Sequence, residues 1–135
     1  MKLDGVGVFV EDMPSMVRFY RDVLGFDIRG PEDAENVYLV KDGVVFMLYR
    51  RRDFEKMTDR SFGYAGGTNG HYEIALQVES YEAVDQAFGR ITAAGAAAVM
   101  EPRTMPWGQR TCYAADPEGN LIEIGAFQKE CGADG

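Results

Sequence analysis

Residues 105–127, MPWGQRTCYAADPEGNLIEIGAF, carry the strongest folding signals in the chain. Two runs of strand character, Arg110 to Ala115 and Leu121 to Phe127, flank Asp116-Pro117-Glu118-Gly119-Asn120. Proline presets φ near the turn value and glycine tolerates positive φ, so this stretch reads as a β-hairpin. Side chains alternate across a strand, which puts Ile122, Ile124 and Ala126 on one face and Leu121, Glu123, Gly125 and Phe127 on the other. Glu123 is thus a carboxylate inside an otherwise apolar run. If buried, it needs a hydrogen-bond partner, water or a metal, because burying an ionised group alone is costly.

Working outward, the same grammar occurs twice. Gly5 to Val10 alternates as a strand, Asp12 and Pro14 open a helix, and Met16, Phe19, Tyr20, Val23 and Leu24 repeat at helical spacing until Gly25. Phe26 to Arg29, Asn36 to Val40 and Val44 to Arg50 follow as strand candidates, the last two joined by the turn pair Asp42-Gly43. Residues 51–70 show no sustained periodicity and contain Gly66-Gly67, so they read as a linker or a loop over a site, with Phe62 and Tyr64 either covering a ligand or packing the loop down. His71 to Val78 alternates again. Ser80 caps a helix with an apolar stripe at Val84, Ala87, Phe88 and Ile91 that ends at Gly95, and Ala98 to Glu101 precedes the hairpin. Val10-Glu11-Asp12 leading to Leu24-Gly25 is echoed by Val78-Glu79-Ser80 leading to Ala94-Gly95, the signature of a duplicated unit. The expected fold class is α+β, with two βαβββ modules: module one over 3–52, a linker over 53–70, module two over 71–127, and a C-terminal tail over 128–135.

The DPxGNxxE pattern ending at Glu123, together with Pro106-Trp107-Gly108 and Arg110, resembles the glyoxalase/bleomycin resistance/extradiol dioxygenase group, the vicinal oxygen chelate superfamily. That resemblance implies paired βαβββ modules whose curved sheets form a cleft. It also implies metal-ligand positions on the first and last strands of each module, which fall here at Gly5, Met47, Glu73 and Glu123. Of these, Glu73 and Glu123 alone offer side-chain oxygen, and a divalent metal normally takes three or four protein ligands. His71 shares a face with Glu73 but stands a full strand step away, roughly 6.6 Å. A degraded metal site follows, with no cofactor as the leading expectation and a divalent metal on Glu73 and Glu123 as the lesser one.

Two facing carboxylates have other uses. Repulsion and desolvation raise at least one pKa, making Glu73 and Glu123 a proton-sharing pair or general base, or a receptor for a cationic ligand. Equally, each can simply accept hydrogen bonds from Arg110, Tyr49 or Tyr113. Trp107 sits in a turn, outside any periodic run, so a planar ligand stacked on it is one reading and interface packing the other. Phe9, Met47, Tyr49, His71, Trp107, Arg110 and Phe127 make up the expected ligand-binding set, an apolar pocket with few polar groups.

The totals exclude several classes. At 135 residues the chain holds one ordinary domain or two small modules. Fourteen basic against 22 acidic residues leave a net charge of −8, which disfavours nucleic acid and anionic membranes. The single basic run, Arg50-Arg51-Arg52, precedes Asp53 and Glu55 and reads as a solvated strand end. No apolar run reaches the roughly 18 residues of a membrane span. Cys112 and Cys131 lack metal-ligand spacing and no secretory signal is evident, so reduced thiols and a cytoplasmic location are expected. One histidine and no GxGxxG or P-loop run disfavour acyl-enzyme and phosphate-cradling chemistry. The expectation is a small-molecule-binding protein, homodimeric like many of the group it resembles, possessing a sequestering rather than catalytic site; the alternative is a lyase, isomerase or dioxygenase, working by metal or by acid and base.

Overall fold

The computed structural model describes residues 1–128, and the chain divides into two compact units between Gly66 and Gly67. The first contains β1 (Gly5–Val10), α1 (Met13–Arg18, continuing as a π-helical turn over Phe19–Val23), β2 (Asn36–Lys41), β3 (Val44–Arg50) and α2 (Arg51–Thr58). Its sheet has the order β1-β3-β2, with β1 parallel and β2 antiparallel to β3. Asp12 caps α1 by accepting the Ser15 N–H at 3.1 Å. Alternation then builds the core: Val8, Val10, Phe46 and Leu48 are buried, and the rings of Tyr20 and Phe26 each pack 5.0 Å from that of Phe46. Asp42 and Gly43 both take positive φ in the β2–β3 turn, as the Asp-Gly pair predicts.

Three expectations fail in this unit. Phe26 to Arg29 is not a strand. Phe26 and Ile28 are buried alternately as a strand would bury them, yet their N–H groups bond locally to Tyr20 and Phe26 carbonyls, so the segment joins no ladder. Arg51 to Thr58, expected within the irregular stretch, forms α2. The arginine run is also not merely solvated. Arg50 pairs with Asp53 and Asp33, and Arg51 pairs with Glu11 at 3.0 Å while its guanidinium lies 4.3 Å from the Tyr64 ring centroid.

The second unit contains β4 (Glu73–Gln77), α3 (Tyr81–Ala93), β5 (Ala97–Thr104), β6 (Gln109–Ala115) and β7 (Leu121–Phe127), in sheet order β4-β7-β6-β5. Ser80 caps α3 through the Ala83 N–H at 3.0 Å. Val84 and Ile91 of α3 are buried, as are Cys112, Ala114, Ile122, Ile124 and Ala126 on the alternate positions of β6 and β7. The β6–β7 turn is tied by Asp116, which accepts from the Glu118 and Asn120 N–H groups at 2.9 and 3.0 Å. The protein is therefore α+β with two modules, the first short of one edge strand. Among the described residues no helix is long and apolar enough to cross a membrane. The tail expected over 128–135, with Cys131, lies from residue 129 onward outside the described residues.

Candidate functional site

The register of the second sheet assembles the site. β4 runs parallel to β7 with Ala75 opposite Glu123, and β6 runs antiparallel with Tyr113 opposite Glu123, Thr111 opposite Gly125 and Gln109 opposite Phe127. Paired residues share a face, so Glu73, Glu123, Tyr113, Thr111 and Gln109 all stand on the side turned away from Ile122, Ile124 and Cys112. The two carboxylates are thus neighbours on adjacent strands of one sheet. They do not face each other across a cleft, because the last strand of the module inserts directly beside its first.

Each carboxylate has its own donors. The Tyr113 hydroxyl reaches both oxygens of Glu73, at 3.2 and 3.3 Å. Thr111, only 2% exposed, donates to Glu123 Oε2 at 2.7 Å, and Gln109 Nε2 approaches the same oxygen at 3.5 Å. The Gln109 amide is oriented by Trp107, whose Nε1–H donates to Gln109 Oε1 at 2.9 Å. Gly125 makes this possible: a Cβ there would come within 2.8 Å of Gln109 Nε2 and 3.3 Å of Thr111 Oγ1. Burial, then the hydrogen bond and charge of Glu123, raise the Glu73 carboxyl above its ordinary value, against the Tyr113 bond that lowers it. Burial and the same two carboxylates raise the Tyr113 phenol, which stays a donor at neutral pH. Nearby, burial pushes the Cys112 thiol up to about 11, leaving it protonated on the opposite face.

The other expected residues distribute unevenly. Phe127 ends β7 on the carboxylate face, 57% exposed, and Trp107 is 61% exposed in the preceding turn. His71 is exposed and precedes β4, its N–H held by Asn69 at 3.4 Å. Arg110 belongs elsewhere: by register it opposes Ala126 on the helix-facing side, where it pairs with Asp85 of α3 at 2.8 Å. Its parity, one residue off Thr111, excludes it from the carboxylate face. Phe9, Met47 and Tyr49 do share one face of the first sheet, since Gly7 opposes Met47 and Phe9 opposes Tyr49. There the Phe9 ring packs 4.3 Å from Phe54 of α2, and Tyr49 hydrogen-bonds the Met57 sulfur at 3.5 Å. Among the described residues Arg110 makes no hydrogen bond to Glu73 or Glu123; Tyr113 bonds Glu73, and Thr111 and Gln109, unforeseen, bond Glu123. Both share the two-residue parity of Tyr113 and Glu123, the signal that would have found them.

The donor set fits a metal poorly. Among the described residues no group of three or more His, Cys, Asp or Glu side chains is gathered. At Gly5 an added Cβ would meet the Val45 carbonyl oxygen at 2.5 Å and its Cβ at 2.7 Å, so that position has no room for a coordinating side chain without a backbone shift. Met47 offers thioether sulfur, a soft ligand unsuited to a hard-cation oxygen site.

Comparison with known proteins agrees with this architecture. The Glyoxalase/Bleomycin resistance protein/Dioxygenase superfamily model matches residues 2–124. A glyoxalase-related enzyme from Fulvimarina pelagi superposes with a TM-score of 0.81 at 21% identity, over 100% of this chain and 95% of that one. A glyoxalase/bleomycin resistance protein/dioxygenase family enzyme from Burkholderia phytofirmans PsJN gives 0.80 at 24% identity, over 95% and 100%. A lactoylglutathione lyase from Agrobacterium tumefaciens gives 0.71 at 18%, over 93% and 92%. At such identities these structures speak to the fold alone. No curated protein matches.

Proposed function

The chain belongs to the glyoxalase/bleomycin resistance protein/dioxygenase superfamily, and on that premise we propose that it binds a small organic molecule at a site that has lost its metal. One observation carries the reading: of the four positions where the superfamily resemblance puts ligands, Gly5 and Met47 bring no oxygen or imidazole, and Gly5 has no space for a substitute. What survives is the Glu73–Glu123 pair with its Tyr113, Thr111 and Gln109 donors. Two carboxylates on one face favour a ligand with a protonated nitrogen, and the exposed rings of Trp107 and Phe127 offer that ligand a flat apolar surface. Sequestration by a cytoplasmic homodimer is the role we assign.

A thermal-shift screen of the purified protein against planar basic compounds tests it, since a ligand preferring the folded state raises Tm. A saturable rise that weakens in Glu123→Ala and Trp107→Ala is expected. Complete absence of a shift sinks the reading, as does near-stoichiometric metal in tag-free protein that disappears in Glu123→Ala. A second reading rests on the raised Glu73 carboxyl: a group that burial and the neighbouring Glu123 make hold its proton longer can act as an acid or base in metal-free lyase or isomerase chemistry. Turnover abolished by Glu73→Gln while ligand binding survives would favour it.

A further inference from the structure

The first unit holds a separate cavity of about 240 Å³ where the end of β1 meets α2, lined by Val10, Glu11, Arg51, Arg52, Glu55 and Tyr64. We propose that it is a second binding site, for a small zwitterion of the α-amino-acid type with an apolar side chain. The volume falls just below the roughly 300–1,000 Å³ of pockets that take drug-sized ligands, so the occupant is small.

The charges in the lining are not equivalent. Arg51 is committed to Glu11 at 3.0 Å and lies against the Tyr64 ring. Glu55 accepts the Phe62 N–H at 2.9 Å and the Tyr64 hydroxyl at 3.0 Å, both on Oε2. Among the described residues, Glu55 Oε1 accepts no hydrogen bond and the exposed Arg52 makes neither hydrogen bond nor ion pair. Arg52 and Glu55 are three apart on α2, so both stand on one helix face about 5–6 Å apart at Cβ, and they leave each other unpaired.

One free guanidinium and one free carboxylate oxygen, side by side in a cavity whose other charges cancel, match a ligand carrying both signs. A plain anion would meet Glu11 and Glu55; a plain cation would meet Arg51 and Arg52. The ligand carboxylate takes the Arg52 fork, its ammonium takes Glu55 Oε1, and the part-exposed Tyr64 ring supplies the apolar wall. Phe62 and Tyr64, by bonding Glu55, hold that carboxylate in position.

The test is an amide-resolved NMR titration of the full chain with L-leucine, N-acetyl-L-leucine and L-leucinamide. Saturable shifts at Arg52, Glu55 and Tyr64 with leucine are expected, with binding at least tenfold weaker for the two analogues that lack one charge. Arg52→Gln, on an exposed side chain, should weaken leucine at least tenfold while leaving the weak leucinamide binding unchanged. Equal binding of N-acetyl-leucine, absence of saturable shifts, shifts confined to other residues, or an unaltered Arg52→Gln would each overturn the proposal. All the probed residues lie in the first unit, so the outcome is independent of the carboxylate pair in the second.

Discussion

The two sheets use one register for two chemistries. In the first, Gly5 opposes Val45, Gly7 opposes Met47, and Tyr38 opposes Met47 from the other side. In the second, Glu73 opposes Leu121, Ala75 opposes Glu123, and Tyr113 opposes Glu123. Position for position, Gly5 corresponds to Glu73, Met47 to Glu123 and Tyr38 to Tyr113. The first face is closed by sulfur and rings, with Phe54 of α2 packed on Phe9; the second is a polar network with its own donors. The difference teaches that the backbone ladder comes with the fold, whereas the site depends on two side chains per module and on the small residues that give them room.

The widest expected divergence concerns the turns. Gly43 and Gly119 both have positive φ, but a Cβ at Gly43 meets open space while one at Gly119 would overlap the Gly67 carbonyl oxygen. Gly43→Ala therefore costs only the backbone strain, about 1 kcal/mol. Gly119→Ala adds a clash and should cost roughly 3 kcal/mol. Urea midpoints for the two variants measure the gap, and equal losses would show that the second hairpin is no more constrained than the first.

Why the sequence revealed some of this and concealed the rest is visible in particular residues. The β6–β7 hairpin and both helix N-caps followed from turn and capping chemistry, and alternation put Glu73 and Glu123 each on the face away from its own strand's buried set, whereas the parallel pairing that makes them neighbours in one sheet was not legible. Phe26 and Ile28 alternate just as convincingly, yet burial without a ladder partner satisfies the same pattern. α2 was hidden because Arg51-Arg52-Asp53 begins it with charges straight after a strand, and its apolar contact rests chiefly on Phe54. Arg110 shows the opposite error: a residue assigned through motif resemblance against its own parity. Parity alone puts Thr111 and Gln109 on the Tyr113 face, but that they reach Glu123 depends on the β6–β7 register, which a single strand does not display.

Next in size is the steric exclusion at the first ligand position. Gly5→Ala places a Cβ 2.5 Å from the Val45 carbonyl oxygen and should cost about 2 kcal/mol. A variant as stable as the parent, by the same urea measurement, would reopen that position to a coordinating side chain and erase one of the contrasts between the modules.

Smaller again is the loss of a single hydroxyl. Thr111→Val keeps the shape but strips the 2.7 Å bond from a carboxylate, a change worth about 1.5 kcal/mol for a buried donor to a charged group. Its register counterpart Asn36 is exposed, and Asn36→Ala should stay within about 0.5 kcal/mol. Comparable losses at both would mean that the polar network adds nothing beyond ordinary surface contacts.

The last effect is small but has a sign. Glu73 binds its proton more tightly in the folded protein than in the unfolded chain, because burial and Glu123 disfavour its charged form. In the window from the ordinary value of 4.5 up to the raised one, the folded state holds more protons than the unfolded state, so stability falls as pH rises through it. Below that window both states are protonated and the penalty vanishes; above it the penalty is complete. Glu73→Gln should accordingly be more stable than the parent at pH 7 to 8, by about a few tenths of a kcal/mol once solvent screening of this exposed residue is allowed for. The gain should shrink to the cost of the altered Tyr113 bond at acid pH. The corresponding positions Gly5 and Met47 carry no ionisable group, so substitutions there leave the pH profile flat over that interval. A Gln variant losing stability equally at every pH would mean that Tyr113 offsets Glu123 fully, and that the pair is a structural contact rather than a charged receptor.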